Sequence, residues 1–124
     1  MNVVDSSGWL EYFADGLNAD FFAPALENVA ELVVPSISIY EVFKRVLQQR
    51  DESDALQAVA VMQQGTVVDL DAAIALNAAK LSVGLRLPMA DSVMLATAGA
   101  HDATLWTQDS DLKTVEGVQY VEKR

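Results

Sequence analysis

Hydrophobic positions along this chain follow two rhythms. Short runs such as Val3-Val4, Val33-Val34, Val67-Val68 and Leu105-Trp106 alternate with longer stretches where apolar residues recur every three or four positions. The runs predict strands at residues 2–4, 32–34, 66–68, 103–106 and 118–121. The longer stretches predict helices over 7–14 and 19–28. Ile39, Val42, Phe43, Val46 and Leu47 share one face of a further helix. Residues 55–63 continue helical. An alanine-rich helix over 72–81 ends near Gly84, and another over 89–98 starts after Pro88 and stops near Gly99. Strands separated by helices imply a parallel sheet with helices on both faces. The C-terminal ends of its strands then lie along one edge, where such sheets bind ligands.

At 124 residues the chain is read as a single domain spanning 1–124, large enough to bury a core. A hydrophobic fraction of 52% is rich for a small domain and predicts that a second chain covers part of the surface. No apolar stretch approaches the ~20 residues of a membrane span, and Met1-Asn2-Val3-Val4-Asp5 does not read as a signal peptide. With no cysteine there is no disulfide, thiolate zinc site or cysteine nucleophile, which suits a cytoplasmic protein. The net charge of −10 argues against an extended nucleic-acid surface. It leaves room for a small active site that meets phosphate through metal ions, and it predicts basic partners for the acidic face.

Four carboxylates stand where an apolar run meets a helix start. Each has a structural reading of its own. Asp5, followed by Ser6-Ser7, fits a helix N-cap. Glu41 fits a capping box with Ser38 as N-cap, and the helical count puts it opposite the Ile39/Val42/Phe43 stripe, near Lys44 and Arg45. Asp91, three residues after Pro88, fits an acid that complements a helix dipole, yet its helix is apolar nearly all round, so it should be partly buried. Asp109, in Thr107-Gln108-Asp109-Ser110-Asp111, fits an Asx turn, with Asp111 capping a last short helix. These readings leave the coincidence unexplained, because all four acids fall on the same predicted sheet edge. Packed together they would raise one another's pKa, a penalty that a divalent cation removes. Oxygen-only ligands favour Mg²⁺ or Mn²⁺ over zinc.

Other chemistries lack their residues. His101 is the only histidine, so paired-histidine RNA cleavage has no second partner. No glycine-rich phosphate loop is present, and Ser6-Ser7 has no neighbouring base. Trp9, Tyr12 and Phe13 read as core, and Leu56, Val59 and Met62 as core or interface.

Val3-Val4-Asp5-Ser6-Ser7-Gly8-Trp9-Leu10, Ser38-x-x-Glu41, Pro88-x-Ala90-Asp91-Ser92 and Thr107-x-Asp109 together resemble a PIN-domain ribonuclease, most closely the VapC-type toxins of toxin–antitoxin pairs. The resemblance spans essentially the whole chain. It implies a three-layer α/β/α fold with a central, mostly parallel sheet of four to five strands. It implies that Asp5, Glu41, Asp91 and Asp109 surround Mg²⁺ or Mn²⁺, with Asp5 and Asp91 the firmest ligands, Thr107 and Ser6 in support, and Asp111 as an extra acid. It further implies an RNA substrate cut to 5′-phosphate and 3′-hydroxyl ends, a homodimer, and a VapB-like antitoxin whose tail enters the active site. Lys44, Arg45, Arg50, Lys80 and Arg86 are then the candidate phosphate contacts. Two rivals are a receiver-like signalling domain, which needs adjacent acids after its first strand, and a PIN-like module without activity, kept for partner binding.

Overall fold

The computed structural model describes residues 1–124. Five strands form: β1 (Asn2–Val4), β2 (Val33–Pro35), β3 (Thr66–Val68), β4 (Thr104–Thr107) and β5 (Gln119–Tyr120). Six α-helices separate or precede them: α1 (Ser6–Phe13), α2 (Ala19–Glu27), α3 (Ser36–Gln49), α4 (Glu52–Met62), α5 (Ala72–Leu85) and α6 (Met89–Ala100). All strand pairs are parallel. The ladders β1-β4-β5 and β2-β3 meet through one isolated bridge, Asn2 to Leu32, so the order across the sheet is β3-β2-β1-β4-β5.

Alternation along the strands divides the core into two faces. Val4, Val34 and Trp106 point to one side, where Trp9, Phe22, Ala25, Leu26, Val42, Ala58 and Met62 bring in α1 to α4. Val3, Val33 and Leu105 point to the other, against Met94 and Ala98 of α6. Ile74 and Ala78 attach α5 to Val93 and Ala96 of α6. This is the three-layer α/β/α arrangement expected from the sequence. No helix is long and apolar enough to cross a membrane.

Several local expectations are corrected. α3 begins at Ser36 with Pro35 in the N-cap position, so Ser38 is not a cap. The pre-set φ of Pro35 (−61°) turns β2 straight into the helix, and Ser38 ends up fully buried with no hydrogen-bond partner. α5 runs through Gly84 to Leu85 and ends on Arg86 in the left-handed conformation (φ 56°). α6 ends at Ala100, one residue past Gly99, close to where the sequence places its end. On α4 the buried face is Ala55, Ala58 and Met62, whereas Leu56 is 54% exposed and faces away from the core.

The strand order reverses between β1 and β4, the topological switch point where open parallel sheets hold their ligands. α1 must leave β1 at close range to reach that crevice, and Gly8 permits it. A Cβ at Gly8 would lie 2.5 Å from Val4 Cγ1 and 2.7 Å from Phe22 Cε1, both atoms of fully buried side chains. Gly8→Ala therefore overpacks the core despite the better helix propensity of alanine. We expect a loss of about 1–3 kcal/mol, read as a lower urea midpoint at unchanged slope. A midpoint equal to or above that of the parent chain would refute this packing account.

Candidate metal centre

The switch-point crevice holds three aspartates. Asp5 follows β1 directly and is 2% exposed. It caps α1 as its sequence suggests, Oδ1 accepting from the Gly8 N–H (3.0 Å) and the Ser7 hydroxyl (2.7 Å). Its other oxygen accepts from the hydroxyl of Thr107, the fully buried last residue of β4. Thr107 Oγ1 also accepts the backbone N–H of Asp109 (2.8 Å). One hydroxyl thus ties the acid after β1 to the acid after β4, and parallel pairing of Val4 with Trp106 fixes the height at which they meet. Asp109 accepts in turn from the Asp111 N–H (2.9 Å). Asp109, not Asp111, is therefore the cap of the short 3₁₀ turn Ser110–Leu112. Asp91 arrives from the first turn of α6 and is 8% exposed. One oxygen from each of Asp5, Asp91 and Asp109 falls within 4.8 Å of the others.

Of the residues proposed from sequence, these three converge and Thr107 supports them. Glu41 stands outside the three-acid cluster but lines the same cavity of about 840 Å³. It does not reach back to a capping serine or turn to solvent. Its Oε1 accepts the Ser6 hydroxyl at 2.7 Å, so the second turn of α3 faces the crevice. Asp111 is exposed, and its charge contributes the smallest part of the upward pressure on Asp91. Among the candidate cations, Arg45 and Arg50 line the cavity, while Lys80 in α5 and Arg86 at its C-cap do not. Lys44 sits over the Tyr40 ring at 5.7 Å. Sequence reading missed Ser7, whose place two residues after an N-cap acid was the available signal. It also missed Lys123 and the buried pair Asn18 and Gln108, whose contacts join distant parts of the chain and leave no local trace.

The electrostatics follow from this crowding. Burial pushes the Asp5 carboxyl up to about 6 against the combined pull of Thr107, Ser7 and Gly8, and the Asp109 charge adds to the rise. Burial also lifts Asp91, to about 7, with the neighbouring Asp109 charge the next cause. A cation among these carboxylates would lower the cost of ionising them together. The donor set is all oxygen, and His101 caps the far end of α6, about 15 Å along the helix from Asp91. The residues present thus fit a hard divalent cation such as Mg²⁺ or Mn²⁺.

The pH dependence has a definite sign. Both carboxyls titrate higher in the folded chain than their ordinary 3.8, so the folded state holds protons that the unfolded state has released. That contribution to stability is present below about pH 4 and is lost as pH rises through 6 to 7. Thermal melts in chelator should therefore fall between about pH 5 and about pH 8, and Asp5→Asn should flatten the fall. Mg²⁺ or Mn²⁺ should restore the melting temperature mainly at the higher pH, where protons no longer compete. A melting temperature that rises over this range in chelator and ignores both ions at pH 8 would contradict the reading.

Known proteins bear on the same fold. A toxin–antitoxin complex from Klebsiella pneumoniae contains a chain that superposes with a TM-score of 0.78 at 22% identity, covering 95% of each chain. VapC20 of Mycobacterium tuberculosis, described as a sarcin–ricin loop cleaving toxin, superposes with a TM-score of 0.78 at 13% identity, covering 96% of this chain and 98% of that one. PAE2754 of Pyrobaculum aerophilum gives 0.74 at 21% identity, covering 97% and 88%. No curated protein matches in sequence. The receiver-like alternative fails on topology, since receiver sheets run 2-1-3-4-5 and this one runs 3-2-1-4-5. The model of the PIN domain matches residues 3–118, from β1 through the three-aspartate crevice to the threshold of β5, and the chain belongs to the PIN-domain family.

Proposed function

We propose that this chain is a Mg²⁺-dependent endoribonuclease serving as the toxin of a toxin–antitoxin pair. The observation that carries the proposal is the convergence of Asp5, Asp91 and Asp109 at the sheet's switch point, inside an open cavity. Solved toxin–antitoxin chains with the same fold support the biological setting. Asp5, Asp91 and Asp109 would hold Mg²⁺, which supplies charge neutralisation at the scissile phosphate and a bound water of lowered pKa. Thr107 keeps the Asp5 carboxylate aimed into the crevice. Glu41, fixed by Ser6, is placed beside the cluster to orient an attacking water or take its proton. RNA is the substrate and a VapB-like antitoxin the controlling partner. A basic antitoxin tail would complement the carboxylate-rich cavity.

Homodimerisation is part of the proposal. Leu76 (70% exposed), Val83 (83%) and Met89 (73%) give α5 and the start of α6 an uncovered apolar surface. In light-scattering measurements the chain should show about twice the 13.4 kDa of one copy, and Val83→Glu with Leu76→Glu should give monomers. A monomeric parent chain would remove this part of the proposal.

Cleavage tests the rest. Asp91→Asn or Asp5→Asn should abolish Mg²⁺-dependent RNA cutting and relieve growth arrest on expression. Thr107→Val should weaken Mn²⁺ binding about 10–100-fold while leaving the fold intact. Cleavage by both aspartate variants at the parent rate would end the proposal.

A further inference from the structure

The cavity contains a cation whose position is built, not incidental. Beyond β5, the Val121 N–H donates to the Thr107 carbonyl (3.1 Å), and the Val121 side chain packs on the core that holds Trp9 and Phe22. The next carbonyl, that of Glu122, accepts from Asn18 Nδ2 at 3.0 Å. Asn18 is 2% exposed, and the same amide nitrogen donates to Gln108 Oε1 (2.9 Å). Gln108 is itself 5% exposed and lies between Thr107 and Asp109. Glu11 completes the set, accepting from the Asn18 N–H (2.8 Å) and from Gln108 Nε2 (3.4 Å). Burying two amide side chains costs stability unless every polar atom is paired, and an apolar residue would pack the same space at less cost. What the amides add is direction. They stop the tail one residue before Lys123, and Lys123 lines the three-aspartate cavity.

The charges around it are uneven. Six carboxylates line the cavity (Asp5, Glu11, Glu41, Asp54, Asp91 and Asp109) beside three cations. Arg50 is paired with Asp54 at 3.6 Å. The other ion pair in the molecule joins the N-terminal amine to Glu31, so Lys123, like Arg45, has no carboxylate within salt-bridge reach even in this acidic cavity. An ammonium group that lines the three-aspartate cavity and is left free of carboxylate partners suits a polyanion that reaches both.

We propose that Lys123, set in place by the Asn18 clamp on the Glu122 carbonyl, binds a backbone phosphate of the nucleic-acid strand adjoining the one held at the three aspartates. Lys123 touches substrate, and Asn18 acts through it as a positioning residue. The proposal rests on the nuclease reading above and adds to it a second phosphate site and the device that holds it.

The test is binding of a short fluorescent single-stranded RNA in Mg²⁺, measured by anisotropy in an Asp91→Asn background so that the strand stays whole. Lys123→Gln should weaken binding about fivefold and reduce the slope of log K against log salt by about 0.7, the value for one phosphate contact on a single strand. Lys123→Arg should keep both. Asn18→Ala should lose the same increment of slope, and adding Lys123→Gln to it should cost nothing more. Lys123 is exposed, so its replacement leaves the fold intact and its arm decides the phosphate contact even if Asn18→Ala fails to fold. An unchanged slope with Lys123→Gln overturns the phosphate site while leaving the nuclease reading in place. Full slope in a folded Asn18→Ala protein overturns the clamp. Absence of RNA binding in every form, and by the parent chain with its three aspartates intact, overturns the site together with the reading beneath it.

Discussion

The cost of burying carboxylates beside one another is the constraint around which this molecule is organised. Oxygens of Asp5, Asp91 and Asp109 within 4.8 Å of one another, two of them on buried residues, oppose folding unless the backbone is held from several sides. The holding is divided among three elements. Parallel pairing of β1 with β4 sets the height of Asp5 against Thr107, the Thr107 hydroxyl fixes one acid to the next, and α6 brings Asp91 from the opposite layer. The apolar sides of those elements supply the compensating stability: Val3, Leu105 and Met94 on one face, Val4, Trp9 and Phe22 on the other. Strain at the strand ends is thus offset by burial within the strands.

The layered architecture was legible because it rests on local periodicity. Val3-Val4 and Val33-Val34 read as strands, their side chains do alternate between the two helical layers, and the alanine-rich stretch after residue 71 is a helix. Asp5, Asp91 and Asp109 were legible for a related reason: each lies next to a strand end or a helix start, and parallel connectivity sends all such junctions to one edge. Glu41 shows where local signals stop. Ser38-x-x-Glu41 has the spacing of a capping box, but the helix is capped at Pro35, three residues earlier, and the partner of Glu41 proves to be Ser6, thirty-five positions away. Leu56, read as core or interface, proves not to be core, since helical spacing says which residues share a face and not which face meets the core. The Asn18–Gln108–Glu122 set spans most of the chain and could emerge only once β5 lay beside β4.

A helix cap and a metal ligand make compatible demands on the same carboxylate. At Asp5 one oxygen satisfies the first turn of α1, and that bond holds the carboxyl still where it faces Asp91 and Asp109. The same economy appears at Asp109, which caps the 3₁₀ turn while facing the crevice. A ligand already immobilised by a cap loses little freedom when it meets a cation, so the site is pre-organised by the elements that bound it.

The single bridge between Asn2 and Leu32 gives the sheet a seam. On one side lie β1, β4 and β5, with the ends of two of these strands supplying Asp5 and Asp109. On the other lie β2 and β3, and β2 leads into the helix that carries Glu41. At the crevice one side-chain hydrogen bond joins the two halves, the Ser6 hydroxyl to Glu41. A shear along this seam would carry Glu41 away from the aspartates without separating Asp5 from Asp109. Under the proposed function, the carboxylates that would hold a cation and the one that would act on water therefore lie on different mechanical parts of the sheet.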